Sequence, residues 1–304
     1  MPTSISRDAM SPCDIIFHLP KTGGQTFHNI ATNQYRDGIV LDTHCGLLCP
    51  ESWQRLMDRL SPGPEGEPVA YRAIMGHMRF GLHEKVSGPA RYLTMLRDPV
   101  KRFASYYYML RRMGTIPAEH RFDPGRPDWN CPAHETVSRE LDNGQTRALA
   151  GADWDLPFGA CSEKHLQQAK TNLDRYFAFV GLTEHFDLSL MLLRRICGWR
   201  WRFYVPKNIT PCCLDYRLPR EIRDEIARLN RFDHQLYAYA QKRFFKQVEQ
   251  YGISLRLEKA AYQACNVVHQ SIHHLRQPIK RLRKRSRNPE AKPAESCGYS
   301  TSSS

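Results

Sequence analysis

The residues with the clearest chemical potential form one short run that contains a lysine, two glycines and several polar side chains. The run is Pro20-Lys21-Thr22-Gly23-Gly24-Gln25-Thr26, and it follows the apolar segment 14–17, which has the composition of a short buried strand. Glycines let backbone N–H groups approach a ligand closely, and a helix that begins here adds the positive end of its dipole. Together with the ammonium group of Lys21, the pattern predicts a site for an oxyanion such as phosphate.

The run differs from a Walker A motif, in which a glycine, four further residues and then Gly-Lys-Ser/Thr follow one another. Here the lysine and the threonine precede the two glycines. This order disfavours a nucleoside triphosphatase. A glycine turn that binds no ligand is the simplest alternative, because short motifs also arise by chance.

A second group of polar residues follows the apolar strand that is predicted over 92–96. Arg97 comes directly after this strand, Asp98 is a suitable helix N-cap, and Pro99 occupies the first helical position, where its missing N–H costs nothing. Ser105 lies two turns further along the predicted helix. A capped surface helix explains Asp98 and Pro99, but it leaves Arg97 and Ser105 unexplained.

A histidine follows a third predicted strand. His77 comes directly after segment 69–75 and its glycine. Ligands of open α/β sheets bind at the carboxyl ends of the strands, so His77 is expected on the same edge as Lys21.

The two polar motifs together resemble those of sulfotransferases that use 3′-phosphoadenosine 5′-phosphosulfate (PAPS). Pro20-Lys21-Thr22-Gly23-Gly24 is similar to the 5′-phosphosulfate loop of carbohydrate sulfotransferases related to heparan sulfate 2-O- and 6-O-sulfotransferases, with Gln25 where the family usually has a hydroxyl residue. Segment 96–107 resembles the pattern Leu-Arg-Asp-Pro-x-x-Arg-x-x-Ser-x-Tyr of the same enzymes. The resemblance implies that Arg97 and Ser105 bind the 3′-phosphate, and that Arg102 adds positive charge.

Sulfuryl transfer requires a base for the acceptor hydroxyl and a positive charge beside the leaving phosphate oxygen. His77 is predicted as the base, because imidazole titrates near neutral pH and the relatives use a histidine after the corresponding strand. Lys21 is predicted to offset the charge on the leaving group. His18, His83 and Glu84 are the alternatives for the base.

Further segments resemble parts of the same family and supply candidate contacts. Phe80-Gly81-Leu82-His83-Glu84 and a segment around Arg147 are candidates for acceptor binding, through His83, Glu84 and Arg147. Arg147 could equally be a solvated helix arginine. Asn208 and Thr210 lie where a loop of the relatives closes over the adenosine, and are predicted cofactor contacts.

The composition limits the classes of partner and of site. The chain has 304 residues and a formal net charge of +13, which suits anionic ligands such as a nucleotide or an acidic polysaccharide, and equally nucleic acid or a membrane surface. No run predicts a signal peptide or a transmembrane helix. Animal Golgi members of the resembled family carry such an anchor, so the chain is either a bacterial-type, cytoplasmic enzyme or a fragment, and we expect the first. Ten cysteines, among them Cys45, Cys49 and Cys212-Cys213, lack complete zinc-site spacing. Free thiols and no metal are therefore predicted.

These patterns predict an α/β fold, namely a three-layer sandwich around a mainly parallel sheet with a P-loop-like nucleotide site of the sulfotransferase type. Residues 1–13 are predicted as a short extension, 14–250 as the sulfotransferase domain, and 251–304 as a basic helix with a disordered Ser/Pro-rich end. The charge run 280–287 predicts a solvated tail with weak attraction to anionic polysaccharide, lipid or nucleic acid. A peripheral membrane contact through this tail is compatible with its charge.

Three functions are compatible with the sequence. The first is transfer of the sulfuryl group of PAPS to a carbohydrate, with release of 3′-phosphoadenosine 5′-phosphate (PAP). The second is a nucleotide-dependent kinase, which needs carboxylates placed for magnesium, and no such motif is evident. The third is a non-catalytic basic protein that binds glycan or nucleic acid. We predict the first function, with a carbohydrate acceptor and no specific nucleic acid. A homo-oligomer is compatible with this prediction, because some relatives are trimers.

Overall fold

The computed structural model describes residues 12–35, 40–43, 50–60, 71–78, 80–114, 140–152, 156–206 and 219–287. Five strands form one sheet in the order β2-β3-β1-β4-β5, and every neighbouring pair is parallel. The strands are β1 (Cys13–Phe17), β2 (Val40–Thr43), β3 (Ala73–Gly76), β4 (Ala90–Leu96) and β5 (Phe177–Leu182). The predicted α/β class with a parallel sheet is confirmed.

Eight labelled α-helices accompany the sheet within the described ranges. They are α1 (Gly24–Thr32), α2 (Pro50–Leu60), α3 (Pro99–Arg112), α4 (Gly144–Ala150), α5 (Glu163–Tyr176), α6 (Phe186–Cys197), α7 (Arg220–Leu229) and α8 (Arg231–Arg287). One predicted boundary was wrong, since the strand expected over 69–75 begins at Ala73 and ends at Gly76.

The central strands are continuous apolar runs because both of their faces are covered. All five residues of β1 are buried, and so are the last five residues of β4. This pattern is typical of inner strands of a parallel sheet with helices packed on it. The strand that precedes the glycine run is therefore the middle strand of the fold.

The chain leaves the neighbouring strands β1 and β4 in opposite directions. From β1 it passes through α1 to β2 at one edge of the sheet, and from β4 it passes through α3, α4 and α5 to β5 at the other edge. Because parallel crossovers are right-handed, α1 and α3 lie on opposite faces of the sheet. The carboxyl ends of β1 and β4 thus form a topological switch point, and in such folds this is where the ligand crevice lies.

Helix α3 borders this crevice and is fixed as its sequence predicts. The Asp98 side chain accepts a hydrogen bond from Lys101 N at 3.0 Å, and Pro99 is the first helical residue. The apolar face of α3 packs in a separate small core whose buried members are Phe103, Tyr106, Tyr107, Leu110, Leu141 and Ile226. The opposite side of α3 is thereby left to face the glycine run.

Helix α8 is interrupted at Gly252, next to the boundary at residue 250 that was predicted for the domain. Gly252 has φ 60° and ψ −147°, a conformation that only glycine adopts without strain. Beyond the break, Leu255 and Tyr262 are buried, so the predicted extension begins as a packed helix.

Other predictions concern thiols, membrane spans and metals. Cys13, Cys161, Cys197 and Cys265 are free, whereas Cys45, Cys49 and Cys212-Cys213 lie outside the described residues. Within the part of the chain that the structure describes, no helix is long and apolar enough to cross a bilayer. The same ranges contain no group of three or more metal-ligating side chains.

Candidate active site

The turn between β1 and α1 has a backbone suited to an anion. Lys21 (φ 66°) and Gly23 (φ 79°) are both left-handed, and α1 begins at Gly24. A left-handed conformation is uncommon for lysine and persists only where the surroundings hold it. Thr26 N and Phe27 N bond to Gly23 O at 3.1 Å, so the N–H groups that lack a carbonyl partner within the helix are those of Gly24 and Gln25, its first two residues.

Three consecutive carbonyl groups of this turn accept hydrogen bonds from side chains of distant segments. The contacts are Arg102 Nε to Pro20 O at 3.1 Å, Arg97 Nη1 to Lys21 O at 2.9 Å, and Thr183 Oγ1 to Thr22 O at 2.8 Å. The C=O and N–H of a trans peptide point in opposite directions. The N–H groups that follow these carbonyls are therefore turned away from the bonded side chains, as in the backbone nests that bind anions.

Thr22 supports the turn through its side chain. It is 1% exposed, and its hydroxyl group donates to Leu19 O at 2.9 Å. Because this hydrogen is already used, donation from Thr22 to an anion would come from its backbone N–H. Thr26 is also buried, whereas Gln25 is partly exposed at the second helical position.

Positive charge accumulates around the Lys21 side chain. Its Nζ lies 3.6 Å from Met109 Sδ, a weak and uncharged acceptor. Burial lowers the pKa of Lys21, and the nearby guanidinium groups of Arg112 and then Arg97 lower it further. A bound anion would relieve this repulsion between cations.

One face of α3 supplies residues to this region. Arg102, Ser105, Met109 and Arg112 recur at separations of three and four residues, which places them along one stripe of the helix. Ser105 is buried on this stripe, between the residue that contacts Pro20 and the residue that contacts Lys21. Arg102 was expected to add charge for a ligand, but it forms an ion pair with the partly buried Glu140, and its charge is balanced within the protein.

The predicted base, His77, is held against His18. His77 Nδ1 lies 2.9 Å from His18 O, and the two imidazole rings stack with centroids 4.3 Å apart. A carbonyl oxygen only accepts, so Nδ1 carries a hydrogen and, in the neutral ring, Nε2 is the basic nitrogen. Gly24 makes this arrangement possible, because a Cβ atom at that position would lie 1.5 Å from His18 Nε2.

Comparison with known proteins decides the family. A family model for galactose-3-O-sulfotransferase matches residues 65–286, more than half of the chain. The chain belongs to this sulfotransferase family.

Heparan-sulfate 6-O-sulfotransferase 2 of Homo sapiens is 27% identical over 276 residues, which covers 77% of this chain and 45% of the relative. Heparan-sulfate 6-O-sulfotransferase 3-B of Danio rerio is 28% identical over 276 residues, which covers 77% of this chain and 64% of the relative. Galactosylceramide sulfotransferase of Bos taurus is 28% identical over 198 residues, which covers 60% of this chain and 45% of the relative. The chain spans less than two thirds of the length of these relatives.

The structure places His83 and Glu84 away from the carboxyl ends of β1 and β4. The His83 ring stacks on Tyr176 at 4.3 Å, and its Nδ1 lies 3.1 Å from the hydroxyl of Tyr92. These tyrosines lie near the amino ends of β5 and β4, whereas the glycine run follows the carboxyl end of β1. Burial lowers the pKa of His83. Glu84 is exposed beside it.

Arg147 is enclosed by protein groups and is not a solvated helix arginine. It is 1% exposed, and its guanidinium donates to Asp142 O, Leu156 O and Pro157 O and pairs with the Asp142 carboxylate. All three guanidinium nitrogens thus have partners inside the fold. The predicted contact of Arg147 with an acceptor is not supported by this geometry.

Gln145 is a supporting residue that sequence reasoning missed. Its Oε1 accepts from Arg97 N at 3.0 Å, and its Nε2 donates to Arg97 O at 2.9 Å, so its amide pairs with the backbone of Arg97. Asp233 in turn accepts hydrogen bonds from Gln145 N and from the N and Oγ1 of Thr146. The segment around Arg147 that resembles the family contains Gln145, but the sequence alone does not show that Gln145 contacts a residue 48 positions away.

The remaining predicted cofactor contacts, Asn208 and Thr210, lie outside the described residues. Their roles stay predictions.

Proposed function

We propose that this sulfotransferase moves the sulfuryl group of PAPS to a hydroxyl group of a carbohydrate acceptor. The observation that carries the proposal is the turn after β1, where Arg97 Nη1 donates to Lys21 O and further cations surround the Lys21 side chain, in a chain of a sulfotransferase family. PAPS has two anionic groups, a 5′-phosphosulfate and a 3′-phosphate. The donors and cations at this turn fit such a molecule, and we interpret the turn as a P-loop-like nucleotide site.

We assign the 5′-phosphosulfate to residues 20–26 and the 3′-phosphate to Arg97 and Ser105. The first assignment is supported by the positive φ angles of the turn, the fixed carbonyl groups and the start of α1. The second is supported by the position of Arg97 at the end of β4 and by the face of α3 on which Ser105 lies. Asn208 and Thr210 remain predicted contacts of the adenosine.

His77 is the proposed base and Lys21 the proposed stabiliser of the leaving group. Bound PAPS would supply a sulfuryl group whose bond to the phosphate oxygen breaks as the acceptor oxygen bonds to sulfur. His77 Nε2 takes the proton of the acceptor hydroxyl, since Nδ1 already donates to His18 O. Lys21 offsets the negative charge that develops on the phosphate oxygen, and it does so without a metal ion.

Binding of PAP tests the cofactor assignment directly. Calorimetry without magnesium should show binding to the wild type and at least tenfold weaker binding to Arg97→Ala, because one charge-assisted hydrogen bond contributes about 1.5–3 kcal/mol. Arg220→Ala is the matched control, since it removes the same charge from a side chain that is 90% exposed on α7. Absence of binding by folded wild type, or equal weakening in both variants, would contradict the proposal.

The acceptor class rests on the names of the relatives and needs a separate experiment. Two relatives are named for heparan sulfate and one for galactosylceramide, all of which contain carbohydrate. The wild type should transfer ³⁵S from labelled PAPS to one of these acceptors, and the label should remain in the isolated carbohydrate. Label that passes only to protein hydroxyl groups would exclude a carbohydrate acceptor while leaving PAPS as the donor.

A further inference from the structure

The segment of α8 that follows Gly252 contacts the rest of the protein through one face. Leu255, Tyr262 and Asn266 are buried, at separations of seven and four residues that return to the same side of a helix. Tyr262 donates to Arg202 O at 2.8 Å, and Asn266 Oδ1 accepts from Tyr204 N at 2.8 Å. These contacts fix which side of the helix points outward.

The outward face of the same segment is apolar. Ile253 is 75% exposed, Leu257 64%, Val268 58% and Leu275 73%. Their separations of 4, 11 and 7 residues correspond to about whole numbers of turns, so the four side chains form one stripe. Leu255 and Leu257 are two residues apart, about 200° around the helix, which places the stripe opposite the packed face. We call these four residues the outer stripe.

Positive charge accompanies the outer stripe along the helix. From residue 253 to the helix end at Arg287 the sequence has nine lysines and arginines and one acidic residue, Glu258. Glu258 already pairs with Arg194 at 2.5 Å and with Arg195 at 2.8 Å, so its charge is balanced by the body of the protein. Six of the nine cations fall within residues 280–287.

We propose that the outer stripe and the basic residues beyond it dock this protein on the surface of an anionic lipid bilayer. An exposed apolar stripe on a strongly basic helix matches the interfacial helices that lie in the headgroup region. Polysaccharide or nucleic acid would bind the basic residues but would leave the apolar side chains of the outer stripe in water. A second copy of the chain would cover the leucines but would bring the two sets of cations together.

Vesicle sedimentation with the full chain tests this docking. Vesicles of phosphatidylcholine with phosphatidylserine should bind the wild type at physiological salt, and vesicles of phosphatidylcholine alone should bind it far more weakly. The variant Leu257→Gln/Leu275→Gln should bind at least tenfold more weakly, because two apolar side chains no longer enter the interface. Met113→Gln is the control, since Met113 is also a large apolar side chain, 68% exposed, outside α8.

The electrostatic contribution to vesicle binding is measured with the variant Lys280→Gln/Arg281→Gln/Arg283→Gln/Lys284→Gln. Each charge removed near the surface should lower binding about fivefold. The proposal is overturned if the wild type ignores anionic vesicles, or if the leucine variant binds them as well as the wild type does. It is also overturned if sedimentation velocity shows a dimer that the leucine changes dissociate, because the stripe would then be an interface between copies. Circular dichroism shows whether each variant retains its helices.

Discussion

His77 Nδ1 lies 2.9 Å from the carbonyl oxygen of His18, while the imidazole rings of the two residues stack at 4.3 Å. The first contact determines which nitrogen of His77 carries the hydrogen, and the second determines the plane of its ring. The basic nitrogen therefore has a fixed direction before any acceptor arrives. A base whose direction is fixed in advance loses little orientational freedom in the reaction.

Replacing His77 with alanine should lower turnover about 10²- to 10⁴-fold and leave PAP affinity unchanged, because the base takes part only in the transfer step. Turnover is measured as PAP release from PAPS in the presence of the acceptor found by labelling. His83→Ala is the control, since the His83 ring lies on Tyr92 and Tyr176 rather than at the crevice. Loss of turnover in His83→Ala with near-normal turnover in His77→Ala would transfer the role to His83.

Gly24→Ala should destabilise the protein by about 1–3 kcal/mol, because the new methyl group would collide with the His18 ring. The direction of this change in the free energy of unfolding is informative, because replacing glycine with alanine in a helix otherwise stabilises a protein by up to about 1 kcal/mol. Denaturant unfolding measures the change. In a double-mutant cycle, His18→Ala should remove most of the penalty. A stabilised Gly24→Ala would show that His18 does not occupy this place.

Gln145→Ala should weaken PAP binding about tenfold, because the backbone of Arg97 loses both amide contacts that position it. The matched control is Gln167→Ala, whose amide bonds Glu163 at 2.6 Å on the exposed side of α5. For both variants, calorimetry measures the affinity for PAP and denaturant unfolding measures the stability. Gln145 has no role in positioning Arg97 if PAP affinity is retained while stability falls.

PAP binding should be accompanied by proton uptake at alkaline pH. Burial and the guanidinium groups of Arg112 and Arg97 hold the pKa of Lys21 below the ordinary lysine value, and a bound anion raises it again. Affinity should therefore fall as pH rises through the lowered pKa of the free protein. Calorimetry in two buffers of different ionisation enthalpy measures the protons taken up.

The control for this titration is Lys21→Arg, because the guanidinium group stays charged throughout the accessible pH range. The variant should keep a positive charge and lose the proton uptake. Equal uptake in Lys21→Arg and wild type would assign the titration to another group.

Local sequence patterns predicted the parts of the site that depend on neighbouring residues. The apolar strand β1, the glycine turn and the Asp98 cap can all be identified within a few positions, and the rule for parallel sheets predicted that His77 lies at the same edge as Lys21. Gln145 could not be identified in this way, because its contact with Arg97 spans 48 residues and depends on how α4 packs.

Two residues predicted to bind the acceptor lie in surroundings that the sequence pattern does not reveal. His83 is a histidine that follows β3, as a base would, but the chain turns back after this strand. Its ring therefore lies on Tyr176, at the amino ends of the strands rather than at their carboxyl ends. Arg147 has a charge that suits an anion, yet the carboxylate of Asp142 and three carbonyl groups enclose it. In both cases aromatic or polar partners from distant segments determine the position.

The carbonyl groups of the turn have a consequence for the order of folding. Their partners Arg97, Arg102 and Thr183 are 76, 82 and 161 residues away along the chain. The entropy of closing such long loops opposes these contacts until β4 and β5 have joined β1. We therefore expect the proposed anion site to form late in folding, and a nucleotide that bound there would stabilise, by mass action, only molecules whose sheet is complete.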